Sequence, residues 1–185
     1  MKLATTALER VAIVVASLAL SIGLIAVLSG FFAGRDQAGI SGGSVSRTVG
    51  HTFPDLGHAH LRPGEPHPAY NSDPPTSGAH IPELVLLDRS ALGDDQLLEA
   101  LEVGDVVLMY GGNRPPPGLA TLARSEAGRF TPALAAAGQA VVLAKRPHTT
   151  GVIALAWTRL LHVTSATDPA LREFIQQWLG RGAPA

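Results

Sequence analysis

The fold is decided by the stretch Asp94–Tyr110, which reads DDQLLEALEVGDVVLMY. Its first half carries three leucines at helical spacing and predicts a short helix over Asp94–Glu102 with one apolar side. Its second half, Val103–Tyr110, is largely apolar and is followed by a Gly-Gly pair and a proline run, which predicts a strand that ends there. The leucines of the apolar side are Leu97, Leu98 and Leu101.

Four further elements are predicted after this unit. We expect a helix over Leu119–Ala127, then strands over Ala140–Lys145 and Val152–Trp157 that are joined as a hairpin by residues 146–151. The clearest helix is Asp168–Leu179, because a capping residue and a proline in the first turn precede a regular apolar stripe. That stripe consists of Leu171, Phe174, Ile175, Trp178 and Leu179.

The order of these elements predicts an α+β fold, a short mixed sheet with helices packed on one of its faces. The chain has 185 residues, no cysteine and a formal net charge of −1. Absence of cysteine excludes disulfides, thiolate metal sites and thiol catalysis. The near-neutral charge, without a dense run of lysine and arginine, argues against a nucleic-acid partner.

A different pattern stands at the N-terminus. Val11–Gly34 contains no charged residue, and a helix of that length would be about 36 Å long, enough to cross a hydrocarbon core of about 30 Å. Lys2 and Arg10 precede it, so the positive-inside rule predicts a cytoplasmic N-terminus. A cleaved signal peptide is the alternative.

This pattern predicts three parts of the chain. Residues 1–34 form a cytoplasmic stub and a transmembrane anchor, residues 35–49 a flexible linker rich in Gly and Ser, and residues 50–182 a domain outside the cytoplasm. The expected location is the inner (plasma) membrane, crossed once, with the C-terminal domain periplasmic or extracellular.

The segment Gly50–His80 holds five of the seven histidines and six of the 14 prolines. Imidazole is the commonest metal-binding side chain, and a site for copper or zinc without cysteine is built from histidines and carboxylates. Irregular loops also collect surface histidines, so both interpretations stay open. The candidate ligands are His58, His60, His67 and His80, together with Glu99 and Glu102.

The most distinctive run is Tyr-Asn-Ser-Asp-Pro-Pro-Thr-Ser-Gly-Ala-His over residues 70–80. Two prolines fix φ, the hydroxyl residues can bond to nearby amides, and the glycine permits a positive φ, so the segment is suited to hold one shape. It either presents His80 rigidly or acts as a structural clasp. Its motif residues are Tyr70, Pro74, Pro75, Thr76, Ser77 and Gly78.

This run resembles the bacterial membrane-anchored proteins of domain-of-unknown-function 3105. Their pattern has Gly-His, then Tyr-x-x-x-Pro-Pro-Thr-Ser-Gly-Pro-His, then His-x-Leu-Glu-His-Gly before a strand that ends in Tyr. In this chain Ala79 replaces a proline of the second motif, and Glu99 and Val103 stand in place of both histidines of the third. The resemblance implies metal handling, with copper among the metals, and Glu99 can replace one lost ligand because carboxylates also bind zinc and copper.

These observations lead to two functional hypotheses. The favoured one is a non-catalytic accessory subunit that docks on other subunits of a bacterial membrane complex through its helix and its exported domain, since two family histidines are missing. The alternative is a membrane-tethered protein that binds copper or zinc through the loop histidines. An enzyme that uses His80 with Glu102 or Asp105 is a third hypothesis, which no residue spacing supports.

Overall fold

The computed structural model describes residues 48–184 of the chain. The predicted transmembrane anchor and nearly all of the predicted linker lie outside these residues. Within 48–184, no helix combines the length and the apolar character that a membrane span requires.

Six strands and four helices make up the described part of the chain. In chain order they are β1 (His51–Thr52), β2 (Ser90–Ala91), α1 (Asp94–Val103), β3 (Val106–Tyr110), α2 (Leu119–Ala127), α3 (Pro132–Ala136), β4 (Val141–Lys145), β5 (Val152–Ala156), β6 (Arg159–Val163) and α4 (Pro169–Trp178).

All six strands belong to one sheet, in the order β1-β6-β5-β3-β4-β2. β3 runs parallel to β4 and antiparallel to β5, and β4 pairs in parallel with β2. β5 and β6 form an antiparallel pair, and β1 lies antiparallel at the edge beside β6. The sheet is therefore mixed, and the predicted α+β class is confirmed.

Helices cover both faces of this sheet, so the prediction of helices on one face was wrong. All five residues of β3 are buried, and successive side chains of a strand point to opposite faces. Val107 and Met109 pack in a core with the leucines of α1 and with Ala135 of α3. The other face of β3 packs against α2 and α4; on that side the core includes Val106, Leu108, Tyr110, Leu119, Leu171, Phe174 and Ile175.

The predicted hairpin between β4 and β5 was also wrong, because β3 lies between these two strands. The backbone groups of a fully buried strand need hydrogen-bond partners on both edges, and β4 and β5 occupy the two edges of β3. The connection 146–151 therefore passes over the end of β3, where the amide of Arg146 donates to the carbonyl of Tyr110 at 2.9 Å. It passes so close that a Cβ on Gly111 would lie 2.1 Å from the carbonyl oxygen of Thr149.

The hairpin of this domain joins β5 to β6, and β6 has no counterpart among the predicted strands. The connection is Trp157-Thr158, and Thr158 adopts a positive φ of 58°. Most of β6 is only partly buried, which explains why its apolar pattern is weak.

The unit from α1 to β3 differs from its prediction at one boundary. The helix runs through Val103 and ends at Gly104, whose φ of 115° few other residues adopt. The strand then begins at Val106 rather than at Val103.

Asp105 links this boundary to the start of β4. It is 1% exposed, and one carboxylate oxygen accepts a hydrogen bond of 2.8 Å from the amide of Ala140. Its other oxygen is buried and has no hydrogen-bond partner among the described residues. Burial raises the pKa of Asp105 from 3.8 to about 7, although the bond from Ala140 acts in the opposite direction.

We expect Asp105 to make stability fall as the pH rises. Because its pKa is higher in the folded state, its contribution is fully present below pH 4 and is lost as the pH rises through about 7. Asp105→Asn lacks this titration. Urea unfolding measured at several pH values should show that, between pH 4 and pH 8, the free energy of unfolding of the wild type falls by roughly 2–4 kcal/mol more than that of the variant. If the free energy of unfolding changes with pH by the same amount in both proteins, the raised pKa of Asp105 is contradicted.

Candidate metal centre

Four side chains converge beside α1: His60, His80, Glu99 and Glu102. Each offers one donor atom, and the four atoms all lie within 4.8 Å of one another. Nε2 of His80 is 3.2 Å from Oε2 of Glu102 and 3.5 Å from Oε2 of Glu99. Nε2 of His60 lies 3.2 Å from the same oxygen of Glu102. We call this group the four-residue cluster.

The two carboxylates come from α1. Glu99 and Glu102 are three residues apart, so they are neighbours on one side of the helix. The buried leucines of α1 fix the rotation of the helix against the sheet. With that rotation the two glutamates are only 13% and 19% exposed and face the loop that carries the histidines.

The two imidazoles are held in register by the backbone. His60 and His80 form an isolated parallel β-bridge. The amide of Leu61 donates to the carbonyl of His80 at 2.8 Å, and the amide of His80 donates to the carbonyl of Ala59 at 3.1 Å. The ring centroids lie 5.3 Å apart at an angle of 72°. Both side chains therefore reach the cluster from a fixed pair of extended segments.

The motif before His80 ties this loop to the rest of the domain. The carbonyl of Thr76 accepts from the amide of Thr158 at 2.9 Å, and Oγ of Ser77 accepts from the amide of Leu56 at 3.1 Å. The hydroxyl of Tyr70 donates to the carbonyl of Ala79 at 3.1 Å. Thr76 and Ser77 are fully buried. The motif thus acts as a clasp, and by the same contacts it holds His80 in place.

The ring nitrogen of His80 that faces the backbone is identified by its partner. Nδ1 lies 3.0 Å from the carbonyl oxygen of Gly78, and since a carbonyl only accepts, Nδ1 carries a proton. In the neutral ring, Nε2 is then an acceptor, and it faces the carboxylates of Glu99 and Glu102, which are acceptors too when ionised. Nε2 of His80 and Oε2 of Glu99 are both buried without a hydrogen-bond partner among the described residues.

A cation would balance this group of acceptors. In the part of the chain that the structure describes, the ion-pair partners of Glu99 and Glu102 are His60 and His80 alone, and no lysine or arginine neutralises the carboxylates. Four donors bound tetrahedrally at about 2.0–2.2 Å from an ion would lie about 3.3–3.6 Å apart. Three of the six donor separations, at 3.2, 3.2 and 3.5 Å, are close to that spacing, and all six are within 4.8 Å.

Two of the predicted ligands lie outside the four-residue cluster. The ring of His58 lies 6.2 Å from that of Trp157, centroid to centroid. Nε2 of His67 is 3.1 Å from Oδ1 of Asp95. His58 and His60 are two residues apart, a spacing that can place two imidazoles on one side of an extended chain, but the chain forms no continuous strand there. The predicted ligands include all four residues that converge, but nothing in the sequence separates these four from His58 and His67.

We expect Gly78→Ala to destabilise the clasp. The φ of Gly78 is +133°, and a Cβ there would lie 3.0 Å from two ring carbons of Tyr70. Gly64→Ala is the matched control, because Gly64 also has a positive φ, +89°, but an added Cβ would meet no atom within 4 Å. In urea unfolding, the free energy of unfolding should fall by about 1 kcal/mol in the control and by roughly 2–4 kcal/mol in Gly78→Ala. Equal losses would show that the contact with Tyr70 is unimportant.

Comparison with known proteins places the chain in a family. The model of the family described as "Protein of unknown function (DUF3105)" matches residues 64–184. The match includes His80, Glu99 and Glu102, whereas His60 lies before its first residue. No curated protein and no solved structure matches the sequence significantly. Since the family model spans more than half of the chain, this protein belongs to the DUF3105 family.

Proposed function

We propose that this protein binds a divalent transition-metal ion, best represented by zinc, through His60, His80, Glu99 and Glu102. The observation that carries the proposal is Nε2 of His80, which is buried, lacks a hydrogen-bond partner among the described residues and faces two carboxylates. An ion among the four donors would satisfy all of them at once. The carbonyl of Gly78 would orient the imidazole from behind, as hydrogen-bond partners of metal-bound histidines usually do.

The donor set narrows the choice of metal. Two imidazole nitrogens and two carboxylate oxygens suit zinc or Cu(II), whereas Cu(I) is selected by thiolate and thioether sulfur. The chain has no cysteine and two methionines, of which Met109 is buried in the core beneath α1. Zinc(II) is one of the two metals that the donor set suits, and we would test the site with it first.

The exposure of the ligands indicates how an ion would enter. The His80 side chain is fully buried, whereas that of His60 is 48% exposed. We propose that His60 is the ligand on the solvent side, through which the ion arrives and leaves. A site with this asymmetry fits a protein that takes up and releases metal.

A protonated His80 is the competing explanation for the geometry. An imidazolium would donate from Nε2 to Glu102 and would also balance the carboxylates. Such a cluster would be complete without metal, so the two explanations differ in what a metal titration shows.

We expect the full-length protein, purified in a mild detergent, to bind one zinc ion per chain in isothermal titration calorimetry, with a Kd of about 1 µM or tighter. His80→Ala and Glu102→Gln should each weaken binding at least about tenfold, because each removes one of the four donors. His67→Ala removes a histidine of the same loop that lies outside the cluster, and it should bind zinc as the wild type does.

Two results would contradict the proposal. One is an absence of zinc and Cu(II) binding tighter than about 10 µM, which would favour the imidazolium explanation. The other is equal weakening by His67→Ala and His80→Ala, which would indicate binding by loop histidines in general.

Docking on a membrane complex remains a second proposal. Leu84, Leu86 and Leu87 are 49%, 61% and 70% exposed, and neighbouring exposed leucines are typical of protein contact surfaces. Membrane attachment through residues 11–34 stays a prediction of the sequence. Size measurement of the full-length protein purified in mild detergent tests docking, since a lone monomer without further subunits counts against it.

A further inference from the structure

A second feature lies on the other face of the sheet, beside α2. It extends from Val141 at the start of β4 to Tyr110 and Lys145 at the carboxyl ends of β3 and β4. Two clefts of about 680 and 450 Å³ meet there and share Arg89 and Ala120 in their walls. We call them together the cationic crevice, because five positively charged side chains line it. These are Arg89, Arg114, Arg124, Arg129 and Lys145.

The charge of this crevice contrasts with a chain whose net charge is −1. Asp88 is the carboxylate in its wall, and it is engaged by Nε of Arg89 at 3.3 Å and by the amide of Leu143 at 3.0 Å. Within residues 48–184, the other four cations have no carboxylate within ion-pair distance. The crevice therefore carries positive charge that the described residues leave unbalanced.

Tyr110 supplies a buried donor at this site. Its side chain lines the crevice and is fully buried, and its hydroxyl has no hydrogen-bond partner among the described residues. Burial raises the pKa of Tyr110, and the Asp88 carboxylate raises it further while Arg89 lowers it. The hydroxyl therefore stays protonated at neutral pH, and an acceptor in the crevice would satisfy a group that otherwise remains unpaired.

The start of α2 adds backbone donors to the same wall. The Pro115–Pro117 run and Gly118 line the crevice immediately before the helix. The first turn of α2 carries no acidic residue, and no side chain caps it. The partial positive charge of this helix end and its free amides are thus available to an anion.

The topology places the smaller cleft, which holds Tyr110, Arg114 and Lys145, where ligands commonly bind in such sheets. β2, β3 and β4 are parallel, and Lys145 is the register partner of both Tyr110 and Ala91 at their carboxyl ends. The four-residue cluster lies beside α1, on the opposite face. The crevice is therefore separate from the proposed metal centre.

We propose that the cationic crevice binds the phosphate group of a small molecule, with Arg89, Arg114 and Lys145 contacting the phosphate and Tyr110 donating its hydroxyl. Guanidinium groups bind phosphate through paired, charge-assisted hydrogen bonds. The volumes are those of small-molecule sites. The phosphate belongs either to a soluble compound or to a lipid headgroup.

Pyrophosphate is the probe for this site. Calorimetric titration of the full-length, metal-free protein at low salt should give a Kd of about 100 µM or tighter that weakens as salt is added. The double variant Arg89→Gln, Arg114→Gln should bind at least about tenfold more weakly. Tyr110→Phe keeps the ring volume and removes the hydroxyl alone, and it should weaken binding about threefold or more.

Arg181→Gln is the matched control, because it removes the same charge from an exposed residue that does not line the crevice. It should bind pyrophosphate as the wild type does. A wild-type Kd above about 1 mM would overturn the proposal, as would equal weakening by Arg181→Gln and the double variant. His80→Ala should leave pyrophosphate binding unchanged. A failure of the phosphate proposal can therefore be told apart from a failure of the metal proposal.

Lipid bilayer discs identify the source of the phosphate. The protein is placed in discs that contain phosphatidylglycerol or the same fraction of an anionic sulfolipid without phosphate, which equalises the surface charge. Weaker pyrophosphate binding in the phosphatidylglycerol discs assigns the crevice to a lipid headgroup. Equal binding assigns it to a soluble phosphorylated compound, and both results support phosphate recognition.

Discussion

Burial of β3 on both faces and along both edges is the constraint on which the rest of the domain depends. The strand Val106–Tyr110 is fully buried, so it needs a helical layer on each side and a paired strand on each edge. α1 and α3 supply one layer, and α2 and α4 supply the other. One consequence is functional, since the two faces carry different chemistry: a cluster of imidazoles and carboxylates beside α1, and a group of cations beside α2.

The cluster exists because α1 has two roles. Its leucines face the sheet, and this orientation turns Glu99 and Glu102 toward the histidine loop. The loop is then positioned by a β-bridge and by the clasp that ends at Gly78, whose carbonyl holds Nδ1 of His80. Core packing and the placement of the donor atoms are thus coupled. The contacts that stabilise the fold also leave Nε2 of His80 without a hydrogen-bond partner among the described residues.

Periodicity and turn residues predicted much of this fold. They placed α1, β3, α2 and α4 correctly to within a few residues, because each has a regular apolar pattern and a clear end. Periodicity and turn residues did not predict which strands pair, because the sequence of residues 146–151 does not show that the chain crosses the end of β3. The candidate ligands included His60 and His80 but also His58 and His67, which only the folded loop separates. The cations of the crevice are spread over residues 89–145, so no cluster is visible until the strands align.

The central claim, that two imidazoles and two carboxylates share one ion, is tested most directly by X-ray absorption at the zinc edge of the zinc-loaded protein. We predict four nitrogen or oxygen neighbours at about 2.0–2.1 Å, with the outer-shell scattering of two imidazole rings. His80→Ala should reduce the imidazole signal to one ring. A shell of six oxygens without imidazole scattering, or a spectrum that His80→Ala leaves unchanged, would contradict the claim.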